Sequence, residues 1–154
     1  MNTAQHATRF ARQFLSLSIA GLLAVALPAF GAGWAVSLSG AEEVPPVNTQ
    51  GKGAGEVAVT ADGMVSGKIM VSGMMPTAAH IHDGAKGANG PVLIKLDRTA
   101  DGFAVPAGAK LTPEQLAKFK AGNTYINVHS EAFPPGEIRG QLMPPAMAKP
   151  TSGY

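Results

Sequence analysis

From residue 32 onward, glycine, proline, asparagine and aspartate cut the chain into short stretches in which apolar and polar residues alternate. Side chains of an extended strand point to opposite faces in turn, so such stretches read as half-buried β-strands, and the frequent breakers leave little room for long helices. The strands expected are Trp34–Leu38, Gly55–Thr60, Met64–Val71, Ala78–His82, Val92–Asp97, Tyr125–His129 and Glu137–Leu142. Ala61-Asp62-Gly63 is a hairpin turn between the second and third of these. Glu42 to Val47 contains Pro45 and Pro46, which lack amide donors, and is expected as an extended edge or loop. Asp83 to Pro91 (DGAKGANGP) reads as a glycine-rich loop. One helix is expected near 112–121: Thr112 as N-cap, Pro113 at the first helical position, an apolar stripe of Leu116 and Phe119, and Gly122 as the stop. The pattern predicts an all-β fold, an antiparallel β-sandwich or barrel with one short helix. A Greek key is one form it can take.

The first 31 residues have a different character. Arg9 and Arg12 precede an apolar run from Phe14 to Phe30 in which Ser16 and Ser18 are the only polar residues, and Ala29-Phe30-Gly31 supplies small residues at −3 and −1. This is the layout of a secretory signal peptide, so the expectation is a periplasmic or secreted protein with no stable membrane span after cleavage. An uncleaved anchor is the rival, disfavoured by Pro28 and by a length at the short end for spanning a bilayer. The domain is expected over 32–143, followed by a Pro-rich, disordered tail over 144–154.

Charge and cysteine content narrow the chemistry. The chain has 12 Lys+Arg and 10 Asp+Glu, and without Arg9 and Arg12 the counts are 10 and 10. A near-neutral domain has no electrostatic footprint for nucleic acid. With no cysteine in the chain, disulfides, thiolate metal sites and cysteine catalysis are excluded, and a metal can be held only by His, carboxylate, amide or Met.

Outside the leader, which contains His6, every histidine sits in one of two motifs, Ala79-His80-Ile81-His82-Asp83-Gly84 and Asn127-Val128-His129-Ser130. Alternation puts His80 and His82 on one face of their strand, opposite Ala79 and Ile81, and puts Tyr125, Asn127 and His129 opposite Ile126 and Val128. In the last strand Glu137, Arg139 and Gln141 lie opposite Ile138, Gly140 and Leu142. If the three strands are neighbours, the polar residues converge in one patch outside the core. Imidazole suits copper, zinc, nickel and iron, and copper(II) tops the affinity order. His80, His82 and His129 are therefore the expected metal ligands, for copper first and zinc as the alternative. Asp83, Asn127, Glu137 and Arg139 are expected supporting residues; Glu137, Asp83 or a backbone carbonyl would fix the imidazole tautomers. The bland alternative is a hydrogen-bonded polar network that orders the sheet.

Other features carry less. Glu137 and Arg139 read as a surface pair worth under about 1 kcal/mol. Met70, Met74 and Met75 are expected to pack, and Met143 and Met147 are better placed for an auxiliary soft-metal site. Ser130 beside His129 does not make a hydrolytic pair, because adjacent strand residues face opposite ways.

Four ordered blocks give the chain a resemblance: Leu38-Ser39-Gly40-Ala41-Glu42-Glu43-Val44-Pro45-Pro46-Val47; Ala78 to Gly84 with Gly87 and Asn89-Gly90-Pro91-Val92; Gly122 to Ser130; and Phe133 to Leu142. Together they resemble the CHRD (chordin-type) domain family, which implies an extracytoplasmic all-β domain. The two histidine motifs are also similar to the copper site of copper/zinc superoxide dismutases. The further His and Asp of the zinc half there, and the disulfide, have no counterpart. These readings lead to a non-enzymatic exported domain that binds a transition-metal ion and serves metal storage, delivery or tolerance. Its partners would be the ion and another copper-handling protein, with a homodimer as one assembly. The alternatives are a metal-free module that binds protein or glycan, and a dismutase-like copper enzyme in which Arg139 guides an anion.

Overall fold

The computed structural model describes residues 33–145. The expected signal peptide, and the tail beyond residue 145 with Met147, lie outside the described residues. Nine strands, one α-helix and a 3-10 turn at Gly40–Glu42 are present among them: β1 (Trp34–Ser39), β2 (Lys52–Val59), β3 (Val65–Ser72), β4 (Pro76–Asp83), β5 (Val92–Lys95), β6 (Asp97–Arg98), β7 (Gly102–Ala104), α1 (Pro113–Lys120), β8 (Thr124–Ser130) and β9 (Ile138–Leu142). No helix among the described residues is long and apolar enough to cross a membrane.

All pairings are antiparallel, in one sheet of order β5-β4-β8-β9-β1-β2-β3-β7-β6. The two ends of that order, β5 and β6, are separated in sequence by Leu96 alone, whose amide still bonds Ala79 O of β4 at 2.9 Å. The chain thus bridges the sheet's own edges, and the sheet curls into a nearly closed barrel. The expectation of an antiparallel sandwich or barrel holds in its barrel form. The stretch expected as one strand, Val92–Asp97, divides here into two because it turns this corner, and the three-residue β7 was not expected.

The interior is built by alternation. Val36 and Leu38, Val57, Val65 and Ile69, Ala79 and Ile81, Ile94, Phe103, Ile126 and Val128, and Ile138 and Leu142 point inward from successive strands and are buried. Burying each of the larger side chains contributes roughly 1.5–3 kcal/mol. Met70, next to Ile69 on β3, faces outward and is 58% exposed, and Met75 in the bend before β4 is 87% exposed. Of the three methionines expected to pack, Met74 alone does.

The β2–β3 hairpin closes through Ala61-Asp62-Gly63, with Gly63 at φ +91°, a conformation that favours glycine. The helix starts where expected. Thr112 caps it by accepting from Gln115 N, and the Gln115 side chain accepts from Thr112 N, a reciprocal capping box. Phe119 is buried from its inner side, and Trp34 stacks on it with ring centroids 4.1 Å apart.

Segment 40–47 and loop 83–91 fold over the outer face of β8 and β9. Asn89 Nδ2 donates to Val44 O at 3.0 Å, and Lys86 pairs with Glu42 at 2.8 Å. The loop changes the expected character of Arg139, and Thr49 and Ser130 change that of Glu137. Glu137 and Arg139 are 6% and 1% exposed and form no ion pair with each other, so the surface pair is corrected to two separately buried polar residues.

A candidate metal centre under the loops

Strand order makes β4, β8 and β9 neighbours, as convergence of the polar residues requires. Register sets His80 opposite Asn127 and Asn127 opposite Arg139; His82 lies opposite Tyr125, and Ala78 opposite His129. Same-face neighbours on adjacent strands are within side-chain reach, and the three histidines meet. One nitrogen from each ring of His80, His82 and His129 lies within 4.8 Å of the others. All three residues are partly buried.

Two of the rings have their tautomers set by backbone. His82 Nδ1–H donates to Gly90 O at 2.9 Å, and His129 Nδ1–H donates to Pro134 O at 2.8 Å, because a carbonyl oxygen can only accept. Each therefore keeps a lone pair on Nε2. His129 Nε2 uses its lone pair to accept from His80 Nδ1–H at 2.9 Å, whereas His82 Nε2 is buried with no hydrogen-bond partner. A buried imidazole lone pair without a partner is costly in an apo protein and is satisfied by a cation or a donor. Burial, with His129 acting in the same direction, pushes the pKa of His80 and His82 below the usual 6.5, which favours the neutral rings.

The His82 ring is further fixed by stacking. It lies on Tyr125 with centroids 4.8 Å apart and planes 11° from parallel. The Arg139 guanidinium covers Tyr125, with Cζ 3.4 Å from the ring centroid. Arg139 donates to Asn89 Oδ1 and to the carbonyls of Ala85 and Ala88, so it ties the loop that carries Gly90 to the sheet.

A family model for the CHRD domain matches residues 34–142. The chain belongs to the CHRD domain family. No curated protein and no solved structure matches it. The match runs from β1 to β9 of the CHRD domain, so all three histidines and both covering segments fall inside it.

The supporting residues expected from sequence are placed unevenly in this CHRD domain. Asp83 pairs with Lys118 of the helix. Glu137 accepts from Ser130 Oγ and from Thr49 Oγ1. Neither carboxylate hydrogen-bonds a histidine ring; backbone carbonyls hold the two tautomers instead. Asn127 donates through Nδ2 to Glu43 Oε1 at 2.9 Å. Glu43, Gly90, Tyr125 and Pro134 contribute to the site without having been singled out for it. Tyr125 was on the right face of its strand. Glu43 is 84 residues from Asn127 in sequence, and no local pattern links them. Burial raises the Glu43 pKa above its usual 4.5, against the opposing effects of Arg139 and Asn127.

Proposed function

We propose that this protein is an exported CHRD-domain protein that binds one transition-metal ion, copper before zinc, through His80, His82 and His129. The observation that carries the reading is the gathering of three ring nitrogens within 4.8 Å, two of them with tautomers set by backbone carbonyls. Copper is favoured by its place at the top of the affinity order for imidazole ligands. His80 would release its Nδ1 proton, or carry it on Nε2, when the ion arrives.

The residues before the domain support a periplasmic or secreted location. In that setting the role is storage, delivery or tolerance of copper, with another copper-handling protein as donor or acceptor. The test is a titration of the purified protein with Cu(II), Cu(I) and Zn(II), beside a His80→Ala/His82→Ala variant. Binding of one Cu(II) at micromolar affinity or tighter, lost in the variant, is expected. Equally weak binding by both proteins would leave the metal-free interaction module as the better reading.

A further inference from the structure

A cavity of about 570 Å³ lies where the bend before β4 meets the end of β8, and Met74, Met75, Ser130 and Glu137 are among the residues that line it. Pro76 pairs with Ser130 as Ala78 pairs with His129, so the cavity is close to the histidines along the same ladder, yet none of the three lines it. Its donors are of another kind. Met75 is 87% exposed and forgoes the roughly 1.5–3 kcal/mol that burial would contribute. One exposed methionine by itself carries little meaning. Here, however, two thioethers from consecutive residues border one cavity. Met74 is partly buried, and a Cβ on Gly51 would lie 3.0 Å from Met74 Sδ and 3.2 Å from Glu137 Oε1, so the sulfur and the carboxylate flank the same point. Glu137 is 6% exposed; it accepts from the hydroxyls of Thr49 and Ser130, and no cation among the described residues pairs with it. A buried carboxylate without a counter-ion lowers the cost of bringing a cation alongside. Glu131, exposed, adds a second carboxylate to the lining. Arg98 lines the cavity too, but its guanidinium donates to Pro76 O and lies over the Phe103 ring.

We propose that Met74 and Met75 form a second metal site, selective for a soft monovalent cation, copper(I) above all, and separate from the three histidines. Thioether is a soft ligand that favours copper(I), whereas zinc and copper(II) favour imidazole and oxygen. The chain has no cysteine, so methionine is its only soft donor. Methionine is unbranched and flexible, which lets two neighbouring side chains turn their sulfurs to one ion. Glu137 and Glu131 supply the opposing charge. The inference stands whether or not the histidines hold an ion.

The test follows the methionine ε-methyl signals of the purified protein by nuclear magnetic resonance. Silver(I) serves as a soft monovalent ion with no redox chemistry. Equimolar silver(I) is expected to shift the Met74 and Met75 methyls and to leave Met70, 58% exposed and outside this cavity, in place. Zinc(II) should move none of the three. The silver(I) shifts should persist in His80→Ala/His82→Ala. Met75→Leu, a volume-conserving change at an exposed position, keeps the fold and should abolish the Met74 shift. Copper(I), in competition with a chromophoric chelator under anaerobic reductant, should lose its binding in Met75→Leu and keep it in the histidine variant. Met70 shifting as strongly as Met74 and Met75 would mean scattered thioether binding. A Met74 shift unchanged by Met75→Leu would mean that the two sulfurs share no ion, and shifts lost in the histidine variant would place the soft ion at the histidines. Each of these results overturns this inference and leaves the copper(II) reading to its own titration.

Discussion

At the scale of single residues the site is held by side chains that tie the covering loop to the sheet. Arg139 is the clearest case. It is 1% exposed, donates to three oxygens of loop 83–91 and covers Tyr125. A lysine carries the same charge but lacks the planar fork that serves several acceptors and stacks on a ring. Arg139→Lys is therefore expected to lower the stability of the domain by about 2 kcal/mol in denaturant unfolding, since orphaned buried acceptors and lost stacking each cost about 1 kcal/mol or more. A change below about 0.5 kcal/mol would mean that the loop holds without it. The histidines set a pH dependence of definite sign. His80 and His82 titrate below 6.5 in the folded domain, so the unfolded chain takes up protons first as pH falls. Their contribution is intact above about pH 6.5 and is lost on acidification. Glu43, with its pKa raised, acts in the opposite sense: as pH falls through its folded pKa the fold loses the penalty of a buried carboxylate. Thermal denaturation of metal-free protein between pH 7.5 and 5.5 should show falling stability, and His80→Asn/His82→Asn should flatten the slope. A slope unaffected by that variant would assign the acid sensitivity elsewhere.

At the scale of elements, what could be read in advance was what is local. The N-cap at Thr112, the turn at Gly63 and the inward faces of β4, β8 and β9 each follow from residues within a few positions, and each is where the pattern placed it. What could not be read depends on closure of the chain over long distances. Leu96 turns a barrel corner inside what reads as one strand. Segment 40–47 and loop 83–91 roof the polar face, and so bury Asn127 and Arg139 where alternation alone gives an open patch. The same closure brought Glu43 to the site unannounced. Loop 83–91 carries the sharpest test at this scale. A Cβ on Gly90 would lie 1.7 Å from Asp83 O, so Gly90→Ala must move the turn that presents Gly90 O to His82 Nδ1. Groups that orient metal-bound imidazoles are typically worth 10–100-fold in affinity. Gly90→Ala is expected to weaken copper binding within that range while the far-ultraviolet circular dichroism of the barrel is kept. Unchanged affinity would show that the His82 tautomer does not depend on this carbonyl.

At the scale of the whole molecule, the barrel and the metal reading meet in one thermodynamic link. β4 and β8 supply the three histidines on their outer face, and β4, β8 and β9 together supply six buried core residues, Ala79, Ile81, Ile126, Val128, Ile138 and Leu142, on the inner one. The site therefore exists only while the central strands are paired, and the unfolded chain offers the ion nothing preformed. A ligand that binds the folded state stabilises it by RT ln(1 + [L]/Kd), about 2.7 kcal/mol when the free ion is at 100 times Kd. For a domain of this size each kcal/mol moves Tm by about 3–5 °C. Copper at that ratio should thus raise Tm by roughly 10 °C, less whatever the histidines of the unfolded chain bind. A chelator should reverse the rise, and His80→Ala/His82→Ala should abolish it. Zinc, which lies below copper(II) in the affinity order for nitrogen ligands, should give the smaller shift at equal free concentration. Equal shifts in the natural protein and the double variant would mean that copper acts at scattered surface groups, and the barrel would then hold its three histidines for hydrogen bonding alone.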